Sequence, residues 1–69
     1  MTHSEEMEIR ALARTCENYY EDFETFLVVK AERYGLTDDI KRYFEQNESP
    51  TCGAVIGYVM RTTKGVMRK

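Results

Sequence analysis

Apolar residues in the first half of the chain recur at alternating steps of three and four, which is the spacing of one helix face. No proline or internal glycine interrupts residues 4–34. The pattern therefore predicts one long helix over residues 4–34. Its apolar stripe contains Ile9, Leu12, Cys16, Tyr19, Phe23, Phe26, Leu27, Ala31 and Tyr34.

Residues suited to helix ends flank this segment. Thr2 with Glu5 three residues later fits a capping box, in which each residue satisfies a free backbone N–H of the first turn. Gly35 adopts a left-handed conformation readily, and Leu36 is placed to fold back onto the last turn. The sequence thus predicts a capped start and a glycine-ended helix.

A second, shorter helix is predicted over residues 37–47. Thr37 is a suitable cap, and Asp38 and Asp39 favour the positive end of the helix dipole. Its apolar face contains Ile40, Tyr43 and Phe44.

The segment after Ser49 fits two structures. Ser49 as a cap and Pro50 at the first helical position predict a helix over residues 50–64. Apolar residues at helical intervals support this helix, whereas the many β-branched residues and the Lys64-Gly65 pair favour a hairpin.

We therefore predict a single all-α domain over residues 1–69, with two shorter helices packed on one long N-terminal helix. An α+β fold with a C-terminal β-hairpin is the alternative. The residues at helical intervals are Cys52, Val55, Ile56, Val59, Met60, Thr63 and Met67.

The length of the first predicted helix points to self-association. A helix over residues 4–34 would be about 46 Å long, whereas a compact chain of this size is about 28 Å across. The overhang would need a cover, and a second copy paired antiparallel would supply one. Val28 and Val29 lie away from the main stripe, so we expect cover there too. The predicted core of this homodimer consists of Leu12, Tyr19, Phe23 and Phe26.

Charge is divided unevenly along the chain. Twelve acidic and six basic residues up to Glu48 give that part a net charge of −6, and four basic residues after it give +4. On the predicted long helix, Glu17, Glu21 and Glu24 would form an acidic ridge without an interleaved base. The acid-free end of the chain, with its basic tail at residues 64–69, offers a candidate anion-binding set. That set contains Arg61, Lys64, Arg68 and Lys69.

Residue types for catalysis and metal binding are scarce. Cys16 and Cys52 lack a C-x-x-C spacing, and His3 is the single histidine. We therefore expect no metal, no cofactor and no enzymatic activity. Without a secretory signal or a long apolar run, we expect a cytoplasmic protein with reduced thiols and no membrane segment.

These features predict a small protein-interaction module that regulates or inhibits a partner by covering part of its surface. The size is typical of phage or mobile-element inhibitors, and the acidic ridge of Glu17, Glu21 and Glu24 would imitate the phosphates of a nucleic acid. The alternative is a small helix-turn-helix-like regulator that binds nucleic acid through its basic C-terminal segment. The acidic pI of about 5.3 disfavours that alternative.

Overall fold

A computed structural model describes the backbone of residues 1–67 and the side chains of residues 1–64. Four helices follow one another along the chain: α1 (His3–Ala13), α2 (Glu21–Tyr34), α3 (Thr37–Gln46) and α4 (Cys52–Met67). Within this part of the chain, β pairing is limited to an isolated parallel bridge between Glu17 and Thr51. The fold is all-helical and compact, and the segment after Pro50 is a helix rather than a hairpin.

The predicted single helix over residues 4–34 is wrong, because the chain leaves the helical conformation after Ala13 and resumes it at Glu21. Asn18 adopts a left-handed conformation with φ 63°. Tyr20 is extended, with φ −141° and ψ 160°. Five of the seven residues between the helices are threonine, cysteine, asparagine or tyrosine, which have lower helix propensities than alanine or leucine. Continuing the helix there gains little, and turning back lets α1 pack on α2 and α3.

This connection, residues 14–20, is fastened to the start of α4. The backbone N–H of Glu17 donates to the Pro50 carbonyl at 2.9 Å, and that of Cys52 donates to the Glu17 carbonyl at 3.2 Å. Pro50 itself is buried. Backbone polar groups outside helices need hydrogen-bond partners, and these two bonds supply them.

The predicted start of α1 and end of α2 are confirmed. The predicted Thr37 cap is wrong, because Leu36 occupies the cap position of α3 and makes no side-chain capping bond. Thr2 and Glu5 form the capping box, and Gly35 ends α2 in the left-handed conformation. Leu36 is buried, and its N–H donates to the Ala31 carbonyl. The start of α4 differs from its prediction, because Thr51 rather than Ser49 caps it, accepting the N–H of Ala54 at 3.0 Å.

Helix α2 packs against each of the other three helices and forms the centre of the domain. The principal dimensions are 33 × 25 × 22 Å, so no helix overhangs by the length predicted. Among the described residues, no helix combines the length and apolar content needed to cross a membrane. The core contains Ile9, Ala13, Cys16, Phe23, Leu27, Val28, Ala31, Leu36, Ile40, Cys52, Val55 and Val59.

Candidate functional site

Helices α1 and α3 pack side by side and leave a surface groove of about 410 Å³ between them. Helix α1 contributes Glu8, Ala11 and Leu12, which are spaced i, i+3 and i+4 and so lie on one face, and Thr15 follows in the connection after the helix end. Leu12 and Phe44 are partly buried against the core and form the apolar floor together with exposed Ala11. The groove is lined by Glu8, Ala11, Leu12, Thr15, Lys41, Phe44 and Glu45.

The rim of the groove is acidic. Lys41 Nζ pairs with Glu8 Oε2 at 2.9 Å across the groove. This hydrogen bond is the main reason that the pKa of Lys41 is raised, and the charges of Glu8, Asp38 and Glu5 act in the same direction. Glu45 adds another exposed carboxylate to the lining. The single positive charge of Lys41 therefore faces four carboxylates, those of Glu5, Glu8, Asp38 and Glu45. The electrostatic potential around the apolar floor stays negative.

A separate polar cluster joins α1 to α2 around Glu24, whose exposed fraction is 8%. Its carboxylate accepts hydrogen bonds from the Tyr19 hydroxyl, from Arg10 at 3.0 Å and from Arg14 at 3.1 Å. The pKa of Glu24 is lowered, first by the Tyr19 bond and then by Arg10, since both favour the charged carboxylate. The same Tyr19 bond raises the pKa of that phenol. Paired in this way, the carboxylate holds α1 against α2.

The predicted acidic ridge does not exist as one helical surface, because Glu17 and Glu24 are no longer on the same helix. Glu17 lies in the connection, Glu21 is the exposed first residue of α2, and Glu24 is buried in its ion-pair cluster. Exposed Glu17 and Glu21 keep a partner-binding role only as a prediction.

The predicted dimer core is likewise dispersed. Phe23 is 1% exposed inside the core of the single chain, and Phe26 stacks on it with ring centroids 6.4 Å apart. Leu12 forms part of the groove floor, and the Tyr19 hydroxyl is bound to Glu24. Dimerisation is therefore not needed to explain how Phe23 is buried.

Two of the four candidate anion-binding residues, Arg61 and Lys64, are exposed on α4. Arg68 and Lys69 lie outside the described residues. Anion binding by this set stays a prediction. Among the described side chains, no group of three His, Cys, Asp or Glu residues is arranged to hold a metal ion.

Sequence reasoning missed the groove, because α1 reaches α3 only after the chain turns back at residues 14–20. The cluster of weak helix formers from Thr15 to Tyr20, interrupted only by Glu17, was the available signal. Arg10 and Arg14 upstream of Glu24 were a second signal, since ion pairs between them favour folding back.

No protein-family model matches the sequence, and no curated protein or solved structure is significantly similar to it. Any function proposed for the chain therefore rests on its own geometry and charge.

Proposed function

We propose that this chain is a small, non-enzymatic protein-interaction module that binds a basic amphipathic helix of a partner protein in the groove between α1 and α3. The observation that carries the proposal is the apolar floor of Ala11, Leu12 and Phe44 surrounded by carboxylates. An apolar floor takes the anchor side chains of an amphipathic helix, and an acidic rim takes its flanking cations.

The dimensions of the groove suit such a ligand. Its wall on α1 runs from Glu8 to Leu12, about 6 Å along the helix axis, and Thr15 extends it beyond the helix end. Apolar anchors one turn apart on the partner helix, about 6 Å, fit within that length. Lysine or arginine side chains beside the anchors would lie close to Glu8 and Glu45. Occupation of the groove would cover one face of the partner's helix, which is how the module would inhibit or regulate that partner.

The proposal is tested by titrating the isotope-labelled chain with a synthetic amphipathic helix of leucine and lysine and following the NMR amide signals. We expect saturable shifts centred on Ala11, Leu12 and Phe44, and an affinity that falls as salt is added. A leucine and glutamate helix of the same pattern is the matched control and should bind far more weakly. Equal binding of both peptides, or shifts centred away from the groove, would contradict the proposal.

Two alanine substitutions provide a matched pair of variants. Ala11 and Ala54 are both exposed and helical, but only Ala11 lies in the groove. We expect Ala11→Lys to weaken peptide binding on the order of tenfold, because it fills the floor and adds a like charge. Ala54→Lys should leave the affinity unchanged. A similar loss in both variants would remove the groove from consideration.

Nucleic-acid binding through the basic segment remains the second candidate function. Its support is that residues 49–69 contain no acidic side chain and that Arg61 and Lys64 are exposed on α4. Neutralising the four basic residues should abolish duplex binding and its salt dependence if this function holds. A wild-type chain that fails to retard duplex DNA at low salt would exclude it.

A homodimer is also part of the proposal, although no long helix overhangs the domain and needs cover. Val28 is buried, whereas Val29 on α2 has an exposed fraction of 46%, so the second copy would cover Val29. Light scattering should then give the mass of two chains for the wild type and of one chain for Val29→Glu. A monomeric wild type would contradict this part.

A further inference from the structure

The two cysteines of the chain meet although 35 residues separate them in sequence. Cys16 lies in the connection between α1 and α2, and Cys52 is the first residue of α4. The backbone bonds that link Glu17 to Pro50 and Cys52 bring the two segments together. Both side chains are buried, with exposed fractions of 6% and 3%.

The two thiols are close enough for the Cys52 thiol to affect the Cys16 thiol. Burial raises the pKa of Cys16 to about 12, and the charge and hydrogen bond of the Cys52 thiol add to that increase. Cys52 Sγ also donates to the Asn18 carbonyl at 3.0 Å, which holds its sulfur beside the connection. The partner-binding groove uses neither thiol.

We propose that Cys16 and Cys52 form an intramolecular disulfide when the chain meets a low-molecular-weight disulfide such as oxidised glutathione. The bond ties the connection at residues 14–20 to the first residue of α4. In a reducing compartment the pair stays a dithiol, and it oxidises as the ratio of small disulfide to small thiol rises.

The exchange proceeds in two steps. The Cys52 sulfur, as thiolate, attacks one sulfur of oxidised glutathione and releases a glutathione thiolate, which takes up a proton. Cys16, whose raised pKa disfavours its thiolate, reacts second: it gives its proton to solvent, attacks the Cys52 sulfur and releases the second glutathione as a thiolate, which takes up a proton. Two electrons pass from the protein thiols to the small disulfide, which becomes two thiols.

The bond would close a loop that contains all of α2 and α3. A cross-link of this kind restricts the unfolded chain and so favours the folded state. The oxidant reaches the buried sulfurs when the two backbone bonds of Glu17 open locally, and oxidation should therefore be slow in the folded chain. The groove lies elsewhere, so its peptide binding should persist in the oxidised protein.

The test places the full chain in glutathione buffers of increasing oxidised fraction until its composition is constant. Runs begin from both the folded dithiol and the denaturant-unfolded chain, so slow access cannot conceal the result. We expect the mass of a single chain lighter by two hydrogen atoms, without a disulfide between chains, with both thiols lost to alkylation and a tryptic cross-link between residues 15–30 and 43–61. Its Tm should rise by about 10 °C.

Cys16→Ala and Cys52→Ala provide the controls. Each variant should carry one free or glutathione-bound thiol and show no increase in Tm in the oxidised buffer. Separate glutathione adducts on the wild type, a disulfide between two chains, or two thiols still free at constant composition would overturn the proposal. An internal disulfide that lowers Tm or helicity would overturn it as well, since the native geometry would then not accept the bond.

Discussion

The turns that follow α1 and α2 reach the same left-handed dihedral by different means. Gly35 has φ 63°, and its neighbour Leu36 bonds back to the last turn of α2, so that turn is stabilised locally. Asn18 also has φ 63°, but its segment is bonded to Pro50 and Cys52, far along the chain. A glycine adopts this conformation at little cost, whereas a non-glycine residue needs contacts that hold it there. The α1–α2 turn should therefore depend on the rest of the fold, and the α2–α3 turn should not.

Among substitutions that test the contrast between the two turns, Glu24→Lys should have the largest effect on stability. It places a third positive charge beside Arg10 and Arg14 in a buried position, where unpaired charge is strongly destabilising. We expect α1 to detach and cooperative unfolding to be lost, whereas the turn at Gly35 persists in the remaining helices. Circular dichroism and NMR secondary shifts measure both outcomes.

Glu21→Lys is the matched control, because Glu21 is exposed on the same helix one turn earlier. It should lower Tm by only a few degrees, because it removes a favourable negative charge from the start of α2. If Glu24→Lys were as stable as Glu21→Lys, the ion-pair cluster would not be what holds α1 in place. Because reversing Glu24 would also disturb the fold, the partner-binding prediction for the acidic residues is best tested by reversing only Glu17 and Glu21.

A smaller effect is expected from Gly35→Ala and Asn18→Ala. A Cβ at Gly35 would meet no atom within 4 Å, so the cost there is only the left-handed backbone, about 1 kcal/mol. Asn18→Ala should cost a similar amount, whereas Asn18→Gly should be neutral or slightly stabilising. Urea unfolding measures all three free energies. A stabilising Gly35→Ala would contradict the local account of that turn.

The smallest effect is expected in the pH dependence of the α1–α2 turn. The pKa of Glu24 lies below its ordinary value of 4.5, so its contribution to stability is complete above that value. The contribution is lost as pH falls through the lower pKa of the folded state. The wild type should therefore lose more Tm than Glu24→Gln between about pH 5 and pH 3. Parallel Tm curves for the two proteins would show that Glu24 contributes no pH dependence.

The two turns also show which parts of this fold a sequence can reveal. Thr2 with Glu5, and Gly35 with Leu36, act on neighbouring backbone groups, and both helix ends were predicted. The break after Ala13 needs bonds to Pro50 and an ion pair to Glu24, so no local pattern required it. The groove follows from that break, and the weak helix formers at residues 15–20 and the arginines upstream of Glu24 were signals too weak to place the groove or its acidic rim. Helix α4 was predicted because its apolar spacing outweighed its β-branched composition.

The bonds between Glu17 and the start of α4 also bear on the order of folding. Contacts within α1–α2 and α2–α3 close short loops, whereas the Glu17–Pro50 contact closes a loop of about 30 residues and costs more chain entropy. Such a contact is expected to form after the folding transition state. Changes at this bridge should then act mainly by speeding unfolding, with little effect on the folding rate. The bonds between the α1–α2 turn and the start of α4 would therefore determine how long the native state persists before it unfolds.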